Sequence, residues 1–85
     1  MHSEKVLFGI LLPMTGKVYD FWVPRNMSMG GVCRLIAQAM EIIEPDFFLA
    51  TDKTALMYML TGQIQDSSIT PQEAGFSNGD RFVLV

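Results

Sequence analysis

The pattern of apolar and polar residues near the N-terminus predicts two β-strands joined by a short turn. The stretch KVLFGILLP (5–13) is rich in residues that favour strands and ends at a proline. The following MTGK contains Gly16, which can adopt the positive φ of a tight turn. VYDFWVP (18–24) reads as a second strand, closed by another proline. Two strands with so short a connection predict an antiparallel hairpin.

The hydrophobic period then changes to that of a helix, predicted over about residues 28–44. Apolar residues recur at three- and four-residue steps, at Met29, Val32, Ile36, Met40 and Ile43. Ser28 occupies the N-cap position, and Pro45 ends the helix. Gly30 and Gly31 in the first turn each cost about 1 kcal/mol relative to alanine. Either tertiary packing offsets that cost, or the glycines allow something to approach closely.

The second half of the chain predicts shorter elements. ALMYML (55–60) is typical of a strand, and TGQI (61–64) of a turn into another short strand. In TPQEAG (70–75), threonine caps a single helical turn, proline opens it, glutamate completes a capping box and glycine ends it. SNGD is a turn signal before the last strand, RFVLV. The order is β-β-α-β-β, a short helix and β, which indicates one α+β domain over residues 1–85.

The charge balance argues against nucleic acid as a partner. The chain has six Lys and Arg against nine Asp and Glu, a net charge of −3, and its basic residues are scattered. Its single cysteine excludes an internal disulfide and fits a reducing compartment. The N-terminal apolar run lacks a basic flank and a cleavage site, and no run approaches the ~18 apolar residues of a membrane span. We therefore expect a soluble, cytoplasmic protein that does not insert into a membrane.

Residues that could carry catalysis are few. His2 is the only histidine and lies at the terminus, where we expect fraying. Cys33 has no histidine to form a dyad with, so we interpret it as a small buried hydrophobe. The sequence has no Cys/His cluster, calcium loop or phosphate-loop signature. We expect a protein that is not an enzyme and has no catalytic residue, metal or cofactor.

The order of predicted elements resembles the ubiquitin-like β-grasp fold, a mixed sheet of four or five strands packed on one main helix. MTGKVYDFWVP is similar to its first hairpin, SMGGVCRLI to its helix start, and TGQIQDSSITPQEAGFSNGDRFVLV to its C-terminal half. Within the fold, VYDFWVP, the helix after it and the NGD turn before the apolar last strand resemble the YukD/EsaB family. These are small bacterial ubiquitin-like proteins associated with type VII (WXG100) secretion. The resemblance covers residues 5–85.

The end of the chain bears on the function that this resemblance implies. Covalent modifiers and sulfur carriers of the fold use a flexible Gly-Gly tail, whereas Val85 here belongs to the predicted last strand. We therefore expect a noncovalent adaptor or regulatory component of a type VII secretion system. The alternatives are a modifier or sulfur carrier whose Gly-Gly tail is missing from this sequence, and a domain of a larger membrane protein.

Strand alternation predicts which residues face away from the helix. In the second strand the charged Asp20 marks the outer face, and Trp22 shares that face. In the third strand Met57 and Met59 lie outside, opposite to the inward Leu56 and Tyr58. The first strand leaves two registers open. The resemblance sends Leu7, Gly9 and Leu11 inward, whereas the cleaner apolar set is Val6, Phe8, Ile10 and Leu12.

These assignments give a candidate protein-binding site on the outer face of the sheet. It comprises Met14, Trp22, Met57, Met59 and Val85. The resemblance matches Met14, Met59 and Val85 to the three apolar positions of the fold's best-known binding patch. A dense apolar patch usually marks an interface, although singly exposed apolar residues are common. We expect a protein partner there, a type VII secretion component or a second copy of the chain.

Overall fold

The structure, a computed structural model, describes residues 4–85, and His2 lies outside the described residues. The chain forms strand β1 (Lys5–Leu12), strand β2 (Lys17–Pro24), helix α1 (Met29–Ile43), strand β3 (Leu56–Tyr58), helix α2 (Pro71–Ala74) and strand β4 (Asp80–Leu84). The hairpin, the main helix and the capped helical turn therefore occur where the sequence predicts them. None of the helices within residues 4–85 is long and apolar enough to cross a membrane.

The four strands form one mixed sheet in the order β2-β1-β4-β3. β1 pairs antiparallel with β2 and parallel with β4, and β3 pairs antiparallel with β4. The predicted ALMYML strand is shortened to three residues, and the predicted TGQI strand is reduced to an isolated bridge between Met57 and Ile64. The predicted α+β fold, a mixed sheet with one main helix and a short helical turn, is confirmed.

The core lies between one face of the sheet and α1, and it settles the register of the first strand. Val6, Phe8 and Ile10 are fully buried and Leu12 nearly so, while Leu7 and Leu11 face the other side. The inward set of Leu7, Gly9 and Leu11 is therefore wrong. The helix contributes Val32, Ile36 and Met40, and the other strands contribute Val23, Leu56, Phe82 and Leu84. The rings of Phe8, Tyr58, Phe76 and Phe82 contact one another at one side of this core.

The start of α1 explains the glycine pair. The Met29 and Gly30 N–H groups donate to the carbonyls of Ile69 and Ser67, over 2.7 and 3.0 Å. A Cβ at Gly30 would lie 3.0 Å from Ser67 Cβ and 3.2 Å from its carbonyl oxygen. The glycine therefore allows the chain's own 67–69 segment to dock on the helix start. The Ser28 hydroxyl accepts from the Gly31 N–H over 3.1 Å, as expected for an N-cap.

The short helix α2 has the predicted capping box. The Thr70 hydroxyl accepts from the Glu73 N–H, and the Glu73 carboxylate accepts from the Thr70 N–H. Gly75 ends the helix with φ +77°, in the left-handed region that favours glycine. These local bonds fix the turn that brings Phe76 onto the aromatic cluster.

Candidate protein-binding surface

The outer face of the sheet, which points away from α1, carries a continuous line of apolar side chains. Strand pairing places Leu11 beside Val18 on one side and Val83 on the other, and Val83 beside Met57. The bridge between Met57 and Ile64 extends the line by one segment. We call these five residues the apolar row: Val18, Leu11, Val83, Met57 and Ile64. At about 4.8 Å per strand the row is about 19 Å long.

Exposure along the apolar row is lowest at its centre. Val83 is 8% exposed, Leu11 and Met57 are half-buried, and the ends at Val18 and Ile64 are 40% and 56% exposed. Neighbouring apolar side chains thus shield one another but leave a shared apolar surface toward solvent. A row of this kind is a candidate interface because its area is contiguous rather than scattered.

Next to the apolar row runs a second row, which is polar. It consists of Asp20, Gly9 and Arg81, in register across β2, β1 and β4. A Cβ at Gly9 would lie 3.2 Å from Val18 Cγ1 and 3.3 Å from Arg81 Cγ, so both side chains pack over the glycine. We call these three residues the polar row. It places one negative and one positive charge alongside the apolar row, as expected at the rim of an interface.

The structure places four of the five predicted site residues near the apolar row. Met57 belongs to it. Met59, 37% exposed, lies at the end of the polar row, where its N–H donates to the Arg81 carbonyl over 3.0 Å. Val85, 50% exposed, follows Val83 along the same face and exchanges two backbone hydrogen bonds with Ala55, over 2.9 and 3.0 Å. Met14, 72% exposed, lies at the tip of the β1–β2 hairpin, next to the end of the row at Val18.

Trp22 does not join this group. It is 56% exposed and faces outward as predicted, but it pairs with Leu7, beyond the polar row. β2 and β3 are opposite edges of the sheet, so about 14 Å of sheet separates Trp22 from the two methionines laterally. The expected cluster of Trp22 with Met57 and Met59 is therefore wrong, because two strands lie between them.

Sequence reasoning did not include four members of the apolar row. Val83 could have been predicted from alternation in RFVLV, because it lies two residues after the charged Arg81 and therefore on the same outer face. Leu11 follows once the register of β1 is known, and Val18 follows from pairing with it. Ile64 ends the TGQI segment, which the sequence predicts to enter a short strand, and the bridge to Met57 places it in the row.

A second concave region offers less chemistry. An open cleft of about 600 Å³ lies between α1 and the 50–56 segment, and Cys33 and Arg34 line it. The Cys33 thiol donates to the Thr54 carbonyl over 3.6 Å. Burial raises the pKa of Cys33, and the Arg34 charge offsets only part of that rise. A thiol that is protonated at neutral pH is a weak nucleophile.

Within residues 4–85 no three His, Cys, Asp or Glu side chains are grouped to hold a metal ion.

Comparison with known proteins identifies the fold. The chain superposes on the Caldiarchaeum subterraneum ubiquitin with a TM-score of 0.73 at 23% identity, covering 94% of this chain and 90% of that one. It superposes on the ubiquitin-like domain of the Mycobacterium tuberculosis type VII secretion system protein EccD1 with a TM-score of 0.76 at 16% identity, covering 95% and 97%. The C-terminal ubiquitin-like domain of human 2′-5′-oligoadenylate synthetase-like protein gives a TM-score of 0.69 at 18% identity, covering 99% and 85%.

These similarities establish a ubiquitin-like fold and, at such identities, the fold alone. No protein-family model matches the sequence, and no curated protein matches it. One of the similar structures is linked to type VII secretion by its own name.

Proposed function

We propose that this ubiquitin-like chain is a noncovalent protein-interaction module of the YukD/EsaB kind. It acts in the cytoplasm as an adaptor or regulatory component of a bacterial type VII (WXG100) secretion system. It works by binding rather than by catalysis. The observation that carries the proposal is the apolar row on the solvent-facing side of the sheet. The similarity in fold to the EccD1 domain supports the link to secretion.

The geometry of the apolar row suits a protein partner. Its centre is a flat apolar floor formed by Val83 with Leu11 and Met57, and more exposed side chains stand at both ends. Removing a large apolar side chain from water contributes about 1.5–3 kcal/mol. Several such gains together offset the entropy lost on association. The methionine also adapts its shape to a partner more readily than a branched side chain does.

Charge complements this arrangement. Asp20 and Arg81 border the apolar row on one side, so a partner that covers the row meets one charge of each sign there. Opposite charges at an interface rim set orientation and association rate more than they set affinity. The partner surface we propose is therefore apolar, with a charged border on one side.

The test uses a double variant at the exposed end of this surface, Met59→Ser with Ile64→Ser. The two side chains are 37% and 56% exposed, so we expect the fold to be kept. The matched control is Ile42→Ser with Leu49→Ser, at sites 82% and 78% exposed on other parts of the molecule. Binding is measured against each purified type VII secretion component from a genome that encodes this chain.

We expect one component to bind the parent and the control equally and the double variant at least tenfold more weakly. Equal binding by all three proteins would show that the interface lies elsewhere. Binding of the parent to none of the components would remove the secretion role. Concentration-dependent self-association that the double variant loses would instead assign the surface to a second copy.

The similarity to an archaeal ubiquitin favours a second candidate function, that of a covalent modifier or sulfur carrier. That function requires a flexible tail after Val85. Sequencing the gene downstream of Val85 tests this function, because a stop codon directly after Val85 would rule out a modifier or sulfur carrier. Incubating the native gene product with ATP and an extract containing activating enzymes gives a second readout, since a modifier forms an adduct of its own mass.

A further inference from the structure

The second strand is an open edge of the sheet. β2 pairs with β1 on one side, and it is the first strand in the order β2-β1-β4-β3. The Arg25 N–H donates to the Glu4 carbonyl over 2.9 Å, which extends the β1–β2 ladder by one pair. In an antiparallel pair, alternate residues turn their N–H and C=O groups toward the partner strand. Arg25 is one of the residues that turn toward β1, so the odd-numbered residues of β2 turn toward β1 as well.

The even-numbered residues therefore turn their backbone groups away from β1. Val18, Asp20 and Trp22 present three N–H and three C=O groups along an edge that no other strand of the described residues covers. Pro24 occupies the next alternate position, where its missing N–H costs no ladder bond. An edge with free donors and acceptors is a template for one more strand.

The side chains on this edge favour a particular sequence in that added strand. Val18 and Trp22 stand on the outer face, 40% and 56% exposed, and the carboxylate of Asp20 lies between them. Directly opposed cross-strand residues interact through their side chains. The complementary strand therefore carries a basic residue opposite Asp20, with apolar residues two positions before and two positions after it.

A second copy of the chain fits this edge poorly. Two copies related by a two-fold axis would pair their β2 strands antiparallel. The register with the greatest overlap then places Asp20 opposite Asp20 of the other copy, and like charges directly opposed are destabilising. A shift by one pair in one direction places Trp22 opposite the turn residue Gly16. A shift in the other direction places Val18 opposite Pro24, which has no N–H to donate. The net charge of −3 adds a further repulsion between copies.

We propose that β2 is a docking edge for an extended segment of a partner protein, with a lysine or arginine flanked at two-residue spacing by apolar side chains. The segment adds a fifth strand to the sheet beside β2. Its basic residue pairs with Asp20, and its apolar residues cover Val18 and Trp22. The edge and the apolar row share only Val18, so the edge can bind a segment whether or not the proposed secretion role is correct.

A capped peptide of sequence TVTKTVT is a direct probe. Its lysine faces Asp20, and its valines face Val18 and Trp22 in either strand direction. Trp22 is the only tryptophan of the chain, so its fluorescence reports contact at this edge alone. Amide chemical shifts of Val18, Asp20 and Trp22 report the new backbone bonds. The matched peptides are TVTETVT and a version of the first peptide N-methylated at both valines.

We expect the lysine peptide to shift those three amides and the Trp22 emission. The glutamate peptide should bind about five- to tenfold more weakly, because an attractive cross-strand pair becomes a repulsive one. The N-methylated peptide should bind more weakly, because an antiparallel strand then keeps only the lysine N–H of its three donors to β2. Asp20→Lys, an exposed site, should reverse the preference between the two charged peptides, whereas Leu60→Ser, 82% exposed beyond the end of β3, should leave both affinities unchanged.

Three results would overturn the proposal. Equal affinity for the lysine and glutamate peptides would remove the role of Asp20. The absence of any shift up to about 5 mM peptide would show that the edge does not accept a strand. Protection of the three amides by the chain itself, rising with its concentration, would assign the edge to a second copy.

Discussion

The Tyr19 hydroxyl on β2 donates a hydrogen bond to a carboxylate oxygen of Glu44, the C-cap residue of α1, over 2.5 Å. The same hydroxyl lies 3.1 Å from Thr15 Oγ1. The Glu44 N–H closes the last helical turn on the Met40 carbonyl over 2.8 Å. Two contacts of one hydroxyl therefore join the edge strand, the hairpin turn and the end of the helix.

Tyr19→Phe tests this contact. The hydrogen bond to Glu44 raises the pKa of Tyr19 above its usual value of 10.0. A raised pKa in the folded state means that the stabilisation is fully present below pH 10 and is lost as the pH rises through the folded pKa. We expect the variant to unfold at lower urea concentration at pH 7, and the difference from the parent to shrink above pH 10. Urea titrations across this pH range measure both effects.

The control for that experiment is Glu44→Gln, alone and combined with Tyr19→Phe. If the two side chains act through their shared bond, the double variant loses less stability than the sum of the single variants. Strict additivity, or a Tyr19→Phe difference that persists unchanged above pH 10, would contradict the assignment.

Ile36→Ala tests the buried face of α1. Ile36 is 1% exposed and packs between helix and sheet, so the truncation leaves a cavity and should cost about 2–5 kcal/mol. Leu35, its neighbour on the helix, is 45% exposed, and Leu35→Ala should change stability by less than about 0.5 kcal/mol. Chemical denaturation of both variants gives the two values. Similar losses at the two sites would mean that the helix is rotated from the orientation described.

Gly30→Ala should destabilise the chain more than Gly31→Ala does. Alanine in a helix gains about 1 kcal/mol over glycine. At Gly30 the new Cβ meets the backbone of Ser67, so the 67–69 segment must shift, and we expect a net loss of stability. At Gly31 the Cβ would lie 2.9 Å from Met27 Cγ, so the Met27 side chain must shift, which offsets part of the gain and leaves a smaller net change. Thermal unfolding distinguishes the two, and a stabilised Gly30→Ala variant would contradict the docking of Ser67.

Cys33 should react slowly with alkylating reagents. Burial raises the pKa of its thiol, which lowers the thiolate fraction at pH 8. We expect alkylation by iodoacetamide to be slower in the folded chain than in the same chain unfolded in urea, and to accelerate as the pH rises past 9. Mass spectrometry over time gives both rates. Equal rates in the folded and unfolded chain would mean that the thiol is freely exposed.

Local chemistry made much of the fold predictable. The Ser28 cap, the capping box of Thr70 and Glu73, and the turn at Gly16 are each decided by groups a few residues apart. The apolar period along one face of the helix is likewise local and holds from Met29 to Met40, whereas Ile43, predicted on the same face, is 49% exposed. These features are written in short stretches of sequence, so the element types follow from the residues alone.

The candidate surface depended on contacts that are distant in the sequence. Trp22 and the two methionines were predicted on the correct face, because alternation along a strand assigns faces. Their separation across the sheet was not predictable in this way, because alternation carries no information about strand order.

The sequence by itself determined the first hairpin, the two helices with their caps, and the outward faces of β2 and β3. Only the tertiary structure decided the register of β1, where both alternating sets are apolar and local pattern favours neither decisively. It also decided that β4 lies between β1 and β3, which places Val83 at the centre of the apolar row and Trp22 at the opposite edge from Met59. The physical reason is that burial against α1 selects one face of β1, and strand order follows from the packing of the whole chain.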